Sequence, residues 1–322
     1  MPEFDLVTFG EPMALLLAGG DVPLPNARDF VLQVAGAESN LATGLARLGH
    51  RVGYFGRVGA DNFGERIRRE LRAEGIDVSA LISDPERPTG LLIRDSPQAA
   101  PITVEYRRAA SAATALSPDD LPVDLLTATR WLHVTGITAV LSESALAATI
   151  TAMTIAAEAG ATVSLDPNVR LRLAEADRWS TIVGRLAGYA KIILTGRDES
   201  ELISPGIPAQ RWYADRGAEI VVVKDGGNGS TEYHCATGQS VHGGVRTVSA
   251  VDSVGAGDAF NTGWISSWLS GAATTTAADA ELRLHTGSVV ASMVVATRGD
   301  TPGLPNRPTL DRVLGRGADV DR

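Results

Sequence analysis

The chain has 322 residues, 44% of them hydrophobic and 21% charged, with a formal net charge of −9. This is an ordinary folded composition, long enough for one large α/β domain or a main domain with a small accessory one. Lys and Arg are dispersed rather than clustered, which argues against nucleic acid or an anionic membrane as a partner; an anionic small ligand would need backbone amides or a few well-placed arginines.

The opening MPEFDLVTFG has no basic region followed by an apolar core, so it does not read as a secretory signal. No apolar run approaches the ~18–20 residues of a membrane span, and the expected compartment is the cytoplasm. FDLVTFG (4–10) predicts a first strand. MALLLAG (13–19) predicts another, and SNLATGLARLG (39–49) an amphipathic helix that Ser39 or Asn40 caps and Gly49 ends. GLLIRD (90–95) and ITVEYRR (102–108) are strands with no helix between them, so with 13–19 they suit a small antiparallel sheet inserted as a lid. WLHVTG (131–136), ATVSLD (161–166), KIILTG (191–196) and EIVVVKDG (219–226) are short β-rich runs separated by helical stretches such as SESALAATITAMTIAAEAG (142–160). That alternation indicates βαβ units and a parallel sheet covered on both faces. The tail from Arg307 is rich in Arg and Asp, and its last few residues are expected to fray.

Familiar chemistries lack their motifs. Cys235 is the only cysteine, so neither an intramolecular disulfide nor a Cys-based zinc site is available. No GxxxxGK[ST], HExxH or GxSxG occurs. The late GAGDAF (255–260) is not GxGxxG, because Phe260 holds the third glycine's place, and most of the sheet precedes it; a dinucleotide oxidoreductase is therefore disfavoured. What VGAGDAF does offer is an anion cradle. Glycines at 255 and 257 let a ligand approach the backbone, and a helix beginning near Ala256 would present unpaired N–H groups. Asp258 beside it could take a proton from an attacking hydroxyl, and the helix N-terminus should favour its ionised form. A tight turn with Asp258 as a helix cap accounts for the same residues. At the other end of the chain, VAGAESNLATGLARLG (34–49) sets Gly36 before Asn40 at the head of a helix, which could bring a polar substrate to the backbone or be another turn and cap.

Taken together, AGAESNLATGLARLG and DSVGAGDAF resemble the two hallmark segments of the PfkB-type carbohydrate kinase (ribokinase) family, and the resemblance spans essentially the whole chain. It implies a ribokinase-like three-layer α/β sandwich with a mostly parallel central sheet and a small inserted β-sheet lid. The core would comprise 1–12, 34–88 and 109–322, and the lid 13–33 and 89–108. It implies ATP and Mg2+ as cofactors, with a monovalent cation such as K+ as a further candidate, and a homodimer or higher homo-oligomer through the lid. Asp258 would be the base, with Gly255, Ala256 and Gly257 forming the anion hole and Gly257 also touching ATP.

Within the family, GEPM (10–13), VEYRRAASAATAL (104–116), WLHVTGITAVLS (131–142) and VSLDPNVR (163–170) are similar to segments of 2-keto-3-deoxygluconate kinases. That similarity carries Gly36, Asn40, Tyr106, Arg108, Ile137 and Arg170 to the substrate pocket. Arginines suit the carboxylate of a keto acid, since they bind it with paired charge-assisted hydrogen bonds, though surface ion pairs would also explain them. Arg170 could serve the incoming phosphate instead. On the nucleotide side VVVKDGGNG (221–229) implicates Lys224, Gly226 and Gly229. TGRDESEL (195–202) resembles an Asn-x-x-Glu segment in which Glu199 organises hydrated Mg2+, although Gly196 stands at the Asn position. Asp166 and Asn168 face the phosphates or metal on this reading, or simply form an Asp-Pro-Asn turn. Leu92 and Ala35 depart from the tyrosine and glycine usual at their places, which leaves the sugar open. The expected activity is phosphorylation of a primary hydroxyl of 2-keto-3-deoxygluconate. The alternatives are a neutral sugar such as fructose or ribose, and a non-catalytic sugar sensor.

Overall fold

Short runs of Val, Ile and Leu separated by Ala-rich stretches become strands and helices in the computed structural model, which describes residues 3–97 and 101–316. The expected fraying of the last few residues concerns positions outside that range. In chain order the strands are β1 (Leu6–Gly10), β2 (Met13–Ala18), β3 (Phe30–Ala35), β4 (Val52–Gly59), β5 (Leu81–Asp84), β6 (Leu91–Arg94), β7 (Val104–Arg107), β8 (Trp131–Thr135), β9 (Thr162–Asp166), β10 (Ile192–Gly196), β11 (Ile220–Lys224), β12 (Ser230–His234) and β13 (Gln239–Gly243). The helices are α1 (Ala37–Arg47), α2 (Asn62–Ala73), α3 (Val123–Thr127), α4 (Gly136–Val140), α5 (Glu143–Glu158), α6 (Ala176–Ala187), α7 (Arg197–Ile203), α8 (Ala209–Ala214), α9 (Ala256–Leu269), α10 (Ala277–Val295) and α11 (Arg307–Val313).

Nine strands form one sheet in the order β13-β12-β11-β10-β9-β8-β1-β4-β5. Its pairs are parallel from β11 to β5, and β12 and β13 close one edge antiparallel. Side chains alternate between its faces, as the period of a strand requires. Val7, Leu132, Ile193 and Val221 face one way, onto Met153 of α5, Trp179 of α6 and Trp212 of α8. Leu6, Trp131, Ile192 and Val222 face the other, onto Leu41 of α1, Trp264 of α9 and Leu284 of α10. The result is the expected three-layer α/β sandwich.

Chain order reverses between β1 and β8. β1 continues outward to β4 and β5, whereas β8 lies on its other side and leads to β9, β10 and β11. Such a switch point leaves a crevice at the carboxyl ends of the strands, where α/β sheets bind ligands. The ends meeting there are Gly10 of β1, Thr135 of β8, Asp166 of β9, Gly196 of β10 and Lys224 of β11.

β2, β3, β6 and β7 make a separate sheet in the order β3-β2-β6-β7, its inner face lined by Met13, Leu15, Leu17, Ala35 and Leu92. This small sheet is not wholly antiparallel, contrary to the sequence expectation: its central pair, β2 and β6, runs parallel. Those two strands are joined by a long excursion through the core rather than a hairpin, so nothing forces them to oppose. β3 pairs with β2 until Met13 faces Ala35, and the chain then enters the Gly36 turn directly. Among the described residues, no helix is long and apolar enough to cross a membrane.

Candidate active site

The site begins with two glycine turns. Gly36 has φ 137°, and a β-carbon there would sit 2.6 Å from the Glu11 carbonyl oxygen. Only glycine fits, and the turn it makes starts α1 at Ala37, earlier than the sequence suggested. Ser39 and Asn40 are therefore inside the first turn and cap nothing: Ser39 Oγ turns back to the Gly36 carbonyl at 2.9 Å, and the Asn40 side chain is released for another partner. Gly255 is left-handed at φ 82° and becomes the N-cap of α9, with the Asp300 carbonyl oxygen 3.0 Å from where its β-carbon would be. The first turn of α9 then presents the Gly257 and Asp258 amides, which have no preceding turn of helix to bond. The Ala256 amide is less open, since it turns back to Ser253 O at 3.3 Å.

Asp258 joins the two ends of the chain. Its carboxylate accepts from Asn40 Nδ2 at 2.9 Å and from Asn168 Nδ2 at 3.3 Å. Burial pushes its pKa up to about 7, with the Asp166 charge adding to the rise, while the Asn40 hydrogen bond and the charges of Arg170 and Lys224 act to lower it. The helix-terminus argument pointed to a readily ionised acid. Burial outweighs the local dipole, and the group is instead balanced between its two states at neutral pH.

A second cluster lies at the ends of β9 and β11. Lys224 Nζ donates to Asp166 Oδ2 at 2.8 Å and to Asn261 Oδ1 at 3.2 Å, and Asn261 Nδ2 donates back to Asp166 Oδ2 at 2.6 Å. Burial works against the Asp166 anion, but the Lys224 ammonium prevails and holds its pKa below the usual carboxylate range. A β-carbon on Gly257 would lie 3.7 Å from Lys224 Nζ, so the cation borders the glycine turn. Asn168 is in the left-handed region at φ 47°, with its N–H on Asp166 Oδ1 at 3.0 Å. The turn reading of Asp-Pro-Asn is thus correct, and the turn also aims Asn168 at Asp258. Its Oδ1 is buried without a hydrogen-bond partner, the sort of orphan atom that a water or ligand satisfies.

Glu199 accepts from the Gly196 amide at 2.8 Å and the Val169 amide at 3.1 Å, with Arg170 3.9 Å away. Burial raises its pKa, and the Asp166 charge adds to that. Arg170 is half-exposed. No group of three or more His, Cys, Asp or Glu able to enclose a metal occurs among the described residues. The carboxylates' oxygens are already bonded to protein, so this donor set fits a hydrated ion touched through its waters rather than a caged one. Gly226 and Gly229 form the turn between β11 and β12, just after Lys224.

A further cluster, which holds residues expected at the substrate pocket, is built around Arg108. This arginine is buried, ion-paired to Glu11 and within 5.5 Å of the Tyr106 ring. Ser111 Oγ also donates to Glu11, at 2.5 Å, and Arg108 Nε remains buried without a hydrogen-bond partner. Ile137 lies in α4, partly buried. Its neighbours Thr135 and Thr138 donate to the buried Glu38 carboxylate, whose pKa burial raises. The contacts thus join Asn40, Asp258, Asn168, Asp166 and Lys224 through the Asn168 turn, Glu199 with Arg170, and Tyr106 with Arg108. Gly226 and Gly229 make no side-chain contact with any of them. Sequence reasoning missed Glu11, Glu38 and Asn261. Glu11 was legible as an acid next to a predicted strand end; Asn261 had only its place three residues beyond Asp258.

The pfkB family of carbohydrate kinases matches residues 5–307. The 2-dehydro-3-deoxygluconokinase of Bacillus subtilis (strain 168) is 38% identical over 320 residues, covering 97% of this chain and 96% of that protein. A PfkB protein from Polaromonas sp. JS666 has a crystal structure 33% identical, with a TM-score of 0.84, covering 96% of this chain and 99% of that one. The aminoimidazole riboside kinase of Salmonella enterica, complexed with aminoimidazole riboside and an ATP analog, is 26% identical at a TM-score of 0.82, over 96% and 99%.

Proposed function

We propose, because this chain belongs to the pfkB family of carbohydrate kinases, that it transfers the γ-phosphate of ATP to a primary hydroxyl of 2-keto-3-deoxygluconate, the compound in the name of its Bacillus subtilis relative. The observation that carries the reading is Asp258 at the start of α9, gripped by Asn40 and Asn168 beside the open amides. Its two amide partners fix the carboxylate, and its pKa of about 7 lets it accept the hydroxyl proton and release it in the same pH range. Phosphoryl transfer through a loose transition state asks mainly for positioning and for charge stabilisation. The Gly257 and Asp258 amides and Lys224 supply the second, with Arg170 on the same side through its charge on Asp258. Mg2+ would neutralise phosphate charge when bound, with Glu199, Asp166 and Asn168 Oδ1 as the groups its waters would reach.

Arg108 takes the substrate carboxylate in this reading, through the face that its unpartnered Nε opens. A neutral sugar is the second reading, favoured by the fact that Glu11 already balances the Arg108 charge. Exposed Phe30 and Val31 on β3 suit a second subunit covering the lid. An assay of ADP release over a panel of sugars and sugar acids tests the assignment. Turnover of the keto acid well above fructose and ribose is expected. Turnover of neutral sugars alone would overturn the acid, and none at all would overturn the kinase.

A further inference from the structure

One buried arginine belongs to neither the sugar side nor the phosphate side. Arg94 ends lid strand β6 and is fully buried; besides a weak 3.3 Å bond from Nη1 to the Asp95 carbonyl, both its ion-pair partners belong to the core: Nη1 meets Asp252 Oδ2 at 2.8 Å and Nη2 meets Asp300 Oδ1 at 2.7 Å. Asp252 holds the glycine turn by a hydrogen bond and Asp300 packs against it. Asp252 Oδ1 accepts from the Val254 amide at 3.1 Å and Oδ2 from the Gly299 amide at 3.1 Å. Asp300 has its carbonyl against Gly255; burial raises the pKa of its carboxyl, and the Arg94 charge and, least, the Asn40 amide act against that rise. Two other lid strands reach the same segment: Arg298 Nη2 donates to Ala18 O at the end of β2, and Gln33 of β3 packs on Gly299. Three lid strands therefore rest on residues 298–300, and one guanidinium ties that seat to the turn.

We propose that Arg94 is a positioning residue that couples the seating of the lid to the conformation of the 252–257 turn, and thereby to the amides offered to the transferring phosphoryl group. The proposal rests on reading those amides as the anion hole. A guanidinium suits the task because its planar fork reaches two carboxylates at once, which an ammonium does not. Without it the turn keeps its glycines but loses its tie to the lid, and a shift of about 1 Å at a reacting centre lowers rate by about 10²-fold.

The test uses Arg94→Met, Arg94→Lys and Arg94→Met/Asp252→Asn/Asp300→Asn, in which all three charges are removed, each checked for cooperative melting. The triple variant leaves no buried unpaired charge, so it remains informative should Arg94→Met fail to fold. Expected in the folded variants is a fall in kcat of about 10²-fold with KM for ATP changed less than about threefold, and partial recovery in Arg94→Lys. Binding of ADP with Mg2+ and fluoroaluminate, a mimic of the phosphoryl group in transit, separates the two readings. The wild type should gain affinity for ADP on adding fluoroaluminate and sugar, and the variants should lose that gain while binding ADP alone normally. A folded variant with wild-type kcat and the full gain overturns the coupling. A wild type with no gain removes the anion hole itself, and the proposal with it.

Discussion

Two aspartates face the same crevice from two regions of the molecule, and their surroundings drive them in opposite directions. Asp166, at the end of a buried strand, has Lys224 at 2.8 Å and is held ionised against burial. Asp258, at the start of a helix, is gripped by neutral amides and is raised to about 7. An acid paired with a cation is a counter-ion and a poor base, whereas an acid buried among dipoles keeps a useful proton affinity. The contrast makes Asp258, rather than Asp166, the carboxylate to test as the base.

The largest effect should come from removing the carboxylate that the comparison selects. Asp258→Asn should lower kcat by at least about 10²-fold while sugar and ATP bind nearly as before, in steady-state and equilibrium measurements. Near-normal turnover would leave Asp258 a structural tie between Asn40 and Asn168 and no more. Next comes the counter-ion. Lys224→Met strands the buried Asp166 and should destabilise the protein by about 3 kcal/mol in urea unfolding, as broken buried pairs do. Adding Asp166→Asn should restore most of that stability and leave turnover depressed by at least about tenfold, because the cation is still missing from the phosphate side. If the double variant recovered turnover as well, Lys224 would serve Asp166 alone.

The third test is the pH profile. With its pKa raised from 3.8 to about 7, Asp258 should make kcat/KM fall tenfold per unit below about pH 7 and level off above it. Asn40→Ala removes a hydrogen bond that favours the anion, so it should move this limb upward. A limb near 4 in the wild type would mean that burial does not control the group. Linkage gives a further check. The folded protein holds this proton more tightly than the unfolded chain, so Asp258 detracts from stability as pH rises from about 4 to 7. Asp258→Asn should flatten that part of the stability curve.

The strands of the large sheet were legible because buried parallel strands are continuous apolar runs, as in KIILTG and EIVVVKDG. The glycine turns were legible too, since their freedom is written in residue type. The start of α1 was not: Ser39 and Asn40 are good caps locally, but the long-range partner Asp258 takes the Asn40 side chain and Gly36 makes the turn. The raised Asp258 pKa was not legible for a related reason, because a helix terminus is a local property and burial depends on the whole fold. Glu11 and Arg94 look like ordinary polar punctuation in sequence. Only the fold shows that Glu11 neutralises Arg108 and that Arg94 crosses from lid to core.

The smallest expected effect concerns the departure at Gly196, where the kinases this chain resembles carry asparagine. Here the Gly196 amide bonds to Glu199 Oε2 at 2.8 Å, so the carboxylate reaches back to the start of α7 and ties down the backbone at that point. Gly196 has an ordinary φ of −78°, so a side chain meets no backbone strain. Its β-carbon would come 3.1 Å from that same carboxylate oxygen, and the Glu199 side chain would have to give slightly. Asparagine is the better N-cap by a few tenths of a kcal/mol, which roughly offsets that adjustment. Gly196→Asn should therefore change stability by less than about 0.5 kcal/mol and KM for ATP by less than about twofold. An improvement of tenfold or more in KM for ATP would instead mean that an asparagine amide at this place meets the nucleotide or its metal directly, and that the contrast between Asp166 and Asp258 omits a third group on the phosphate side.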